Sequence, residues 1–226
     1  MKTIGGHVVY TTLSEIADPA HTALLVVDMQ NDYVSPGGAS DRARRTDSDV
    51  FRDVILRTKG VVEAAREAGA LVVYIQNTWL PGHKSVSGSW LRFMEKSGFP
   101  EGGTVTLEGT WGHQIVDELA PGAEDVVVRK WRASAFVGTN LDMVLRSNHI
   151  ESVVICGVVT HGCVESTARD AAFLDYYVVV LRDCVQSTKR ELHEASLRIM
   201  ASRFDVVDAD NVLDVWSPDR RAGVKH

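Results

Sequence analysis

The chain is 226 residues long, about one and a half times a typical domain of ~150 residues, which suits one α/β unit with a full core. Its 45% hydrophobic and 24% charged residues exclude wholesale disorder, and a formal charge of −6 without a Lys/Arg block argues against nucleic acid or an anionic membrane as partner. Cys156, Cys163 and Cys184 form no CxxC pair and leave an odd count, which argues against a disulfide framework or a structural zinc site. Residues 1–6 carry no apolar leader and runs such as 153–159 are too short to span a bilayer, so a cytoplasmic protein is expected.

Residues 23–28 (Ala-Leu-Leu-Val-Val-Asp) read as a buried strand. Ser48 can cap a helix starting at Asp49, where Asp49 and Asp53 suit the positive end of the dipole. Val50, Val54, Val61 and Ala65 recur at helical spacing, and Gly69 stands where a helix would stop. Further strands are predicted at 71–75, 126–128, 152–156, 177–181 and 205–207, with helices near 111–119, 140–146, 163–176 and 191–203. Continuous Val/Ile/Leu strands alternating with helices predict a three-layer, Rossmann-like α/β fold. Its mainly parallel sheet would hold about six strands, flanked by helices on both faces, in a single domain over 1–226. The stretch 78–110, with Trp79 and Trp90, reads as one long irregular insertion. It is either a surface excursion or a lid or subunit contact near the strand ends.

Ligands of such sheets sit beyond the carboxyl ends of the strands, which directs attention to the residues there. Cys163 follows a strand and a turn and opens a predicted helix, where the dipole favours thiolate and the first-turn N–H groups can hold an oxyanion. The competing reading is a small buried cysteine, as for Cys156 and Cys184. Asp28 and Lys130 end two other strands; singly, the first reads as a turn former and the second as a solvated end. An acid, a base and a thiol converging on one sheet edge are more informative together. His161, two residues before Cys163, reads as a rim residue.

Three stretches resemble the isochorismatase-like cysteine hydrolases. They are Leu-Val-Val-Asp-Met-Gln-Asn-Asp at 25–32, Lys-Trp-Arg-Ala-Ser-Ala-Phe at 130–136, and Gly-Val-Val-Thr-His-Gly-Cys-Val-Glu-Ser-Thr at 157–167. The resemblance implies a triad of Asp28 as base and acid, Lys130 between the two, and Cys163 as nucleophile. It also implies a cis Val158–Val159 bond and an oxyanion hole from the N–H groups of Val159 and Cys163. Members that cleave a vinyl ether lack the cysteine, so Cys163 points to C–N hydrolysis. Nicotinamidases of the family carry an Asp-x-His metal motif where this chain has Gln76-Asn77-Thr78-Trp79, so no metal and no cofactor are expected.

Within the family, the stretches 76–79, 109–111, 114–119, 145–147 and 163–170 look most like the ureidoacrylate amidohydrolases. The implied reaction is amide or ureido hydrolysis on ureidoacrylate-like, carbamoyl or maleamate-type molecules, and the implied assembly is a homodimer or homotetramer. Place in the chain nominates Gln76 and Asn77 as hydrogen-bonding pocket residues, Trp79 and Trp111 as walls or core, and Tyr33 as cover on the Asp28 side. Arg132 is either a bidentate partner for a carboxylate or half of a structural ion pair. Two rival classes are a thiol-based sensor and a non-catalytic binding member of the fold.

Overall fold

The computed structural model describes residues 1–44, 48–98 and 104–217. A two-stranded hairpin, β1 (Lys2–Ile4) and β2 (His7–Val9), precedes α1 (Leu13–Ile16) and β3 (Thr22–Val27). Short helices α2 (Asn31–Val34) and α3 (Ala39–Arg44) lead to the long α4 (Arg52–Ala68) and then β4 (Leu71–Asn77). After α5 (Gly88–Lys96) come β5 (Val126–Lys130), α6 (Leu141–Ser147), β6 (Ser152–Val158) and α7 (Glu165–Phe173). The chain continues through β7 (Tyr177–Gln186), α8 (Arg190–Ala201), β8 (Asp205–Val207) and α9 (Ala209–Trp216).

The strands from β3 to β8 form one parallel sheet in the order β5-β4-β3-β6-β7-β8. Alternate residues of each strand face opposite layers. Leu24, Val26, Val72, Tyr74, Val154 and Val179 pack with Val61 and Ala65 of α4 and with Val212 and Trp216 of α9. Leu25, Val27, Val73, Ile75, Val153 and Ile155 pack with Leu141 and Leu145 of α6, Ala168 and Ala171 of α7, and Met200 of α8. Burial on both faces explains the unbroken apolar runs. The edge strands are exceptions: in β5 Val127 and Arg129 are exposed while Val128 and Lys130 are buried, and β8 has an exposed Asp205 beside two half-buried valines.

Several expectations are corrected. The helix foreseen at 111–119 is two 3₁₀ turns, Trp111–His113 and Asp117–Leu119, because Ile115 between them bridges Gln30 as a short antiparallel pair. The helix foreseen from Asp49 begins as a 3₁₀ turn, Ser48–Phe51, and becomes α4 at Arg52; the side chains of Ser48 and Asp49 lie outside the described residues. Gly69 does end α4, at φ 80°. The stretch 78–110 is not wholly irregular: Ser87 caps α5 by accepting from the Trp90 N–H. Residues 99–103 of that stretch lie outside the described residues.

Candidate active site

The strand order places a topological switch between β3 and β6, whose chains leave in opposite directions across the sheet; a crevice for ligands opens beyond the strand ends at such a point. Asp28 directly follows β3, and the turn bearing Cys163 directly follows β6. Gly157 lets the two strands meet there: it sits at φ 111°, and a Cβ would overlap the Val27 carbonyl. Asp28 itself is left-handed at φ 53°, a conformation that Asp and Asn tolerate better than most residues. Lys130 ends β5, two strands away from β3 at ~4.8 Å per strand, a gap that its long side chain and the Asp28 side chain bridge together.

The three side chains meet. Lys130 Nζ lies 2.8 Å from Asp28 Oδ2 and 3.2 Å from Cys163 Sγ, and donates its third hydrogen to the Arg132 carbonyl at 3.0 Å. The ammonium thus has two hydrogen-bond acceptors and one counter-ion around it. Asp28 and Lys130 are each 1% exposed. An ion pair buried this deeply repays its desolvation poorly, so stability is a weak reason for placing it beneath a cavity. Burial raises the Asp28 pKa, and Lys130 opposes this without cancelling it. Burial alone would lower the Lys130 pKa, but Asp28 and Cys163 raise it overall, so the ammonium keeps its charge.

Burial, aided by the Asp28 carboxylate and opposed by Lys130, pushes the Cys163 thiol up to about 12. That direction runs against the dipole-favoured thiolate expected from sequence. The helix does not open at Cys163: a π-helical turn, Thr160–Val164, carries it, and α7 starts two residues later. Such wide turns recur at functional sites. Helix α8 supports this turn. His193 Nδ1 lies 2.8 Å from Thr160 Oγ1, while Ser196 Oγ, 2.5 Å from Glu165 Oε2 and 3.3 Å from the Thr160 carbonyl, shares its one hydrogen between them. The Val158–Val159 peptide is cis.

A cavity of about 130 Å³ opens onto Cys163. Of the residues nominated from sequence, Asp28, Tyr33, Asn77, Lys130, Arg132, Val159 and Cys163 line it, and so does His161. Both amide hydrogens of Asn77 are used within the protein, donated to Tyr33 Oη at 2.7 Å and to Thr106 Oγ1 at 2.9 Å; Asn77 thus holds Tyr33 in place. Burial and the Asp28 charge keep the Tyr33 phenol protonated, its pKa well above the usual value.

Three nominated residues are not among the lining residues. Gln76 turns its amide to the His113 carbonyl at 2.9 Å, Trp79 is buried in a small core with Met94 and Val105, and Trp111 is half exposed. Arg132 makes no ion pair among the described residues. It stacks over Trp90, with Cζ 5.1 Å from the ring centre, and donates to the Ser85 and Trp131 carbonyls. The structural ion pair weighed from sequence is therefore not found there.

The wall that sequence reasoning missed comes from α5: Trp90, Phe93 and Met94 all line the cavity. Their signal is an apolar spacing of three and four residues after Ser87, hidden inside a glycine-rich stretch. Gln30 is a second residue without a clear sequence signal. Fully buried, it donates to the Asn77 and His113 carbonyls and accepts from the Asn77 N–H, tying the ends of β3 and β4 together beneath the site.

The Isochorismatase domain family model matches residues 22–210, and the chain belongs to that family of isochorismatase-like cysteine hydrolases. A cysteine hydrolase from Pseudomonas syringae pv. phaseolicola 1448A is similar at 25% identity and TM-score 0.75, with 88% of this chain and 93% of that chain covered. N-carbamoylsarcosine amidase from Thermoplasma acidophilum is similar at 29% identity and TM-score 0.66, over 84% of this chain and 96% of that one. Pyrazinamidase of Pyrococcus horikoshii, solved in complex with zinc, is similar at 31% identity and TM-score 0.68, over 83% and 99%. In the present chain no three His, Cys, Asp or Glu side chains among the described residues are grouped to hold a metal. Among the described residues, no helix is long and apolar enough to cross a membrane.

Proposed function

We propose that this hydrolase is a cysteine amidohydrolase that cleaves a C–N bond of a small amide or ureido molecule, of ureidoacrylate, carbamoyl or maleamate type, without a cofactor. The observation that carries this reading is the placing of one ammonium between a carboxylate at 2.8 Å and a thiol at 3.2 Å, at the end of a cavity. Likeness to an N-carbamoylsarcosine amidase and a pyrazinamidase supports the amide class.

In the proposed reaction the Cys163 sulfur attacks the carbonyl carbon while its proton passes to Asp28. Concerted transfer suits a thiol held near 12, since little thiolate exists beforehand. The N–H groups of Val159 and Cys163 receive the oxyanion, and one such donor is typically worth about 10²–10³ in rate. The C–N bond then breaks as Asp28 returns the proton to the departing nitrogen. Ammonia leaves an acyl thioester; Asp28 deprotonates a water whose oxygen attacks the thioester carbonyl, the C–S bond breaks to release the acid, and the sulfur takes the proton back from Asp28. Lys130 stays charged throughout and steadies both anionic partners.

The test is ammonia release from ureidoacrylate, maleamate, biuret, N-carbamoyl amino acids and aryl amides, after chelation and dialysis. Turnover of at least one acidic amide or ureido compound is expected, and silence across the panel would overturn the reading. Loss on chelation that a divalent ion restores would overturn metal independence. The pH profile supplies a second check. Asp28 must be ionised to accept the thiol proton, and its pKa is raised, so kcat/KM should fall with acidification at a pH above the ordinary carboxylate range. A profile flat down to pH 4 would remove Asp28 as the base.

A further inference from the structure

Thr106 is the one β-branched residue with a left-handed backbone among the described residues, at φ 52°. Glycine or asparagine fills such a position with less strain, and a β-branched residue persists there only where its surroundings over-determine it. Here they do. The Thr106 N–H donates to Asp32 Oδ2 at 2.7 Å, and its carbonyl accepts from the Trp79 N–H at 3.1 Å. Gly112 packs on the Asp32 carboxylate, where a Cβ would overlap it. The Thr106 hydroxyl donates to the Val105 carbonyl at 2.7 Å and accepts from Asn77 Nδ2 at 2.9 Å. Asn77 gives its other amide hydrogen to Tyr33 Oη, and the Tyr33 hydroxyl is hydrogen-bonded to Thr106 as well. Three side chains thus close on one another. What threonine adds at a position better suited to glycine is the oxygen on which the other two meet. Thr106 is fully buried, whereas Tyr33 and Asn77 line the cavity together with Asp28. Of the charges around Tyr33, that of Asp28 acts on it most strongly.

We propose that Thr106 is a positioning residue, whose hydroxyl seats Asn77 and Tyr33 beside Asp28 and so keeps water away from the base. It touches neither the substrate nor the reacting atoms, and Asp32 secures it from behind. The inference rests on the amidohydrolase reading above, in which Asp28 takes the thiol proton. A carboxylate shielded from water keeps its proton to a higher pH than an exposed one, and burial is the largest influence on Asp28. Freeing Tyr33 should therefore lower the pH at which Asp28 becomes a base. The titratable and charged groups that face Asp28 are Lys130 from β5, Cys163 from the π-helical turn and Tyr33 from α2, while Arg132 and His161 line the same cavity. Replacing the Thr106 hydroxyl alters none of them, so a change in the pH dependence reads the shielding of Asp28.

The experiment follows the rate at which iodoacetamide alkylates Cys163 as a function of pH, so that it does not depend on turnover. Cys156 and Cys184 are fully buried, and peptide mass confirms the labelled residue. The sulfur displaces iodide while its proton passes to Asp28, so the rate rises as Asp28 ionises. Thr106→Val keeps the side-chain shape and removes the oxygen; it should move that rise down by about one pH unit. Thr106→Ser keeps the oxygen and should leave the rise where the native chain has it. Asn77→Leu, which removes both amide donors, should move it as Thr106→Val does. A merely structural role would slow alkylation or lower the urea midpoint without moving the rise. A native profile with no rise, an unmoved rise in whichever of the Thr106→Val and Asn77→Leu variants folds, or loss of the fold in both would overturn the proposal. A rise that moves as described in a chain that hydrolyses no amide would sink the amidohydrolase reading and spare the role of Thr106. Amide hydrolysis with an unmoved rise would do the reverse.

Discussion

Replacing Cys163 with alanine is expected to lower kcat on any amide the chain hydrolyses by about 10⁴-fold or more, because removing a nucleophile from residues that act as a unit abolishes most of what the unit contributes. The variant should still fold. Cys163 packs at the edge of the core that α6, α7 and β6 enclose, and it tethers no second segment covalently. Alanine cannot accept the 3.2 Å hydrogen bond from Lys130, but the other two acceptors of that ammonium remain. Unchanged circular dichroism with absent turnover is the predicted pair of results. Substantial residual activity in purified protein would transfer the nucleophile's role elsewhere, and loss of the folded signal would make the residue structural.

The second large effect falls on Lys130. Its replacement by methionine keeps the stem and removes the charge, leaving Asp28 at 1% exposure without its counter-ion. Breaking a buried pair in this way costs about 3–5 kcal/mol. The cost depends on pH in a definite direction. Without Lys130 the folded-state pKa of Asp28 climbs further above its unfolded value, so the folded state holds a proton that the unfolded state releases. Stability is then lost as pH rises through the folded pKa and is partly regained as pH falls. Urea unfolding should show a larger deficit at pH 8 than at pH 5. The double variant Asp28→Asn, Lys130→Met should recover most of the stability, since it leaves no unpaired charge, yet no turnover. A Lys130→Met protein as stable as the native chain at pH 8 would mean that the carboxylate is not desolvated as described.

The sheet and the meeting point of the three residues were legible from sequence because each depends on local signals. Buried parallel strands announce themselves as unbroken Val/Ile/Leu runs, and the residues ending β3, β5 and β6 are brought to one edge by parallel topology alone. Edge effects were less visible: β5 alternates in burial, yet its Val-Val-Val-Arg-Lys sequence looks like that of a central strand. The helix predicted over 111–119 failed for a long-range reason, the bridge from Ile115 to Gln30, which no local periodicity reports.

Pocket residues proved hardest to place. Gln76 and Trp79 sit within three residues of Asn77 and differ from it only in which way the backbone turns them: one toward His113, the other into a small core with Met94. The α5 wall was concealed because its apolar spacing covers little more than two turns. The direction of the Cys163 shift has a physical cause that the local sequence does not report. The expected helix terminus is not at Cys163, and at the end of this cavity burial outweighs Lys130 and pushes the thiol up.

A covalent bond to one sulfur is the most direct thing to measure. Native protein mixed with an amide it hydrolyses, quenched in acid within the first turnovers and weighed intact, should gain the mass of the acyl group without its leaving nitrogen. Proteolysis should map that gain to the peptide containing Cys163. Full turnover with no adduct on that peptide, under conditions where ammonia is released before the acid appears, would contradict nucleophilic attack by Cys163.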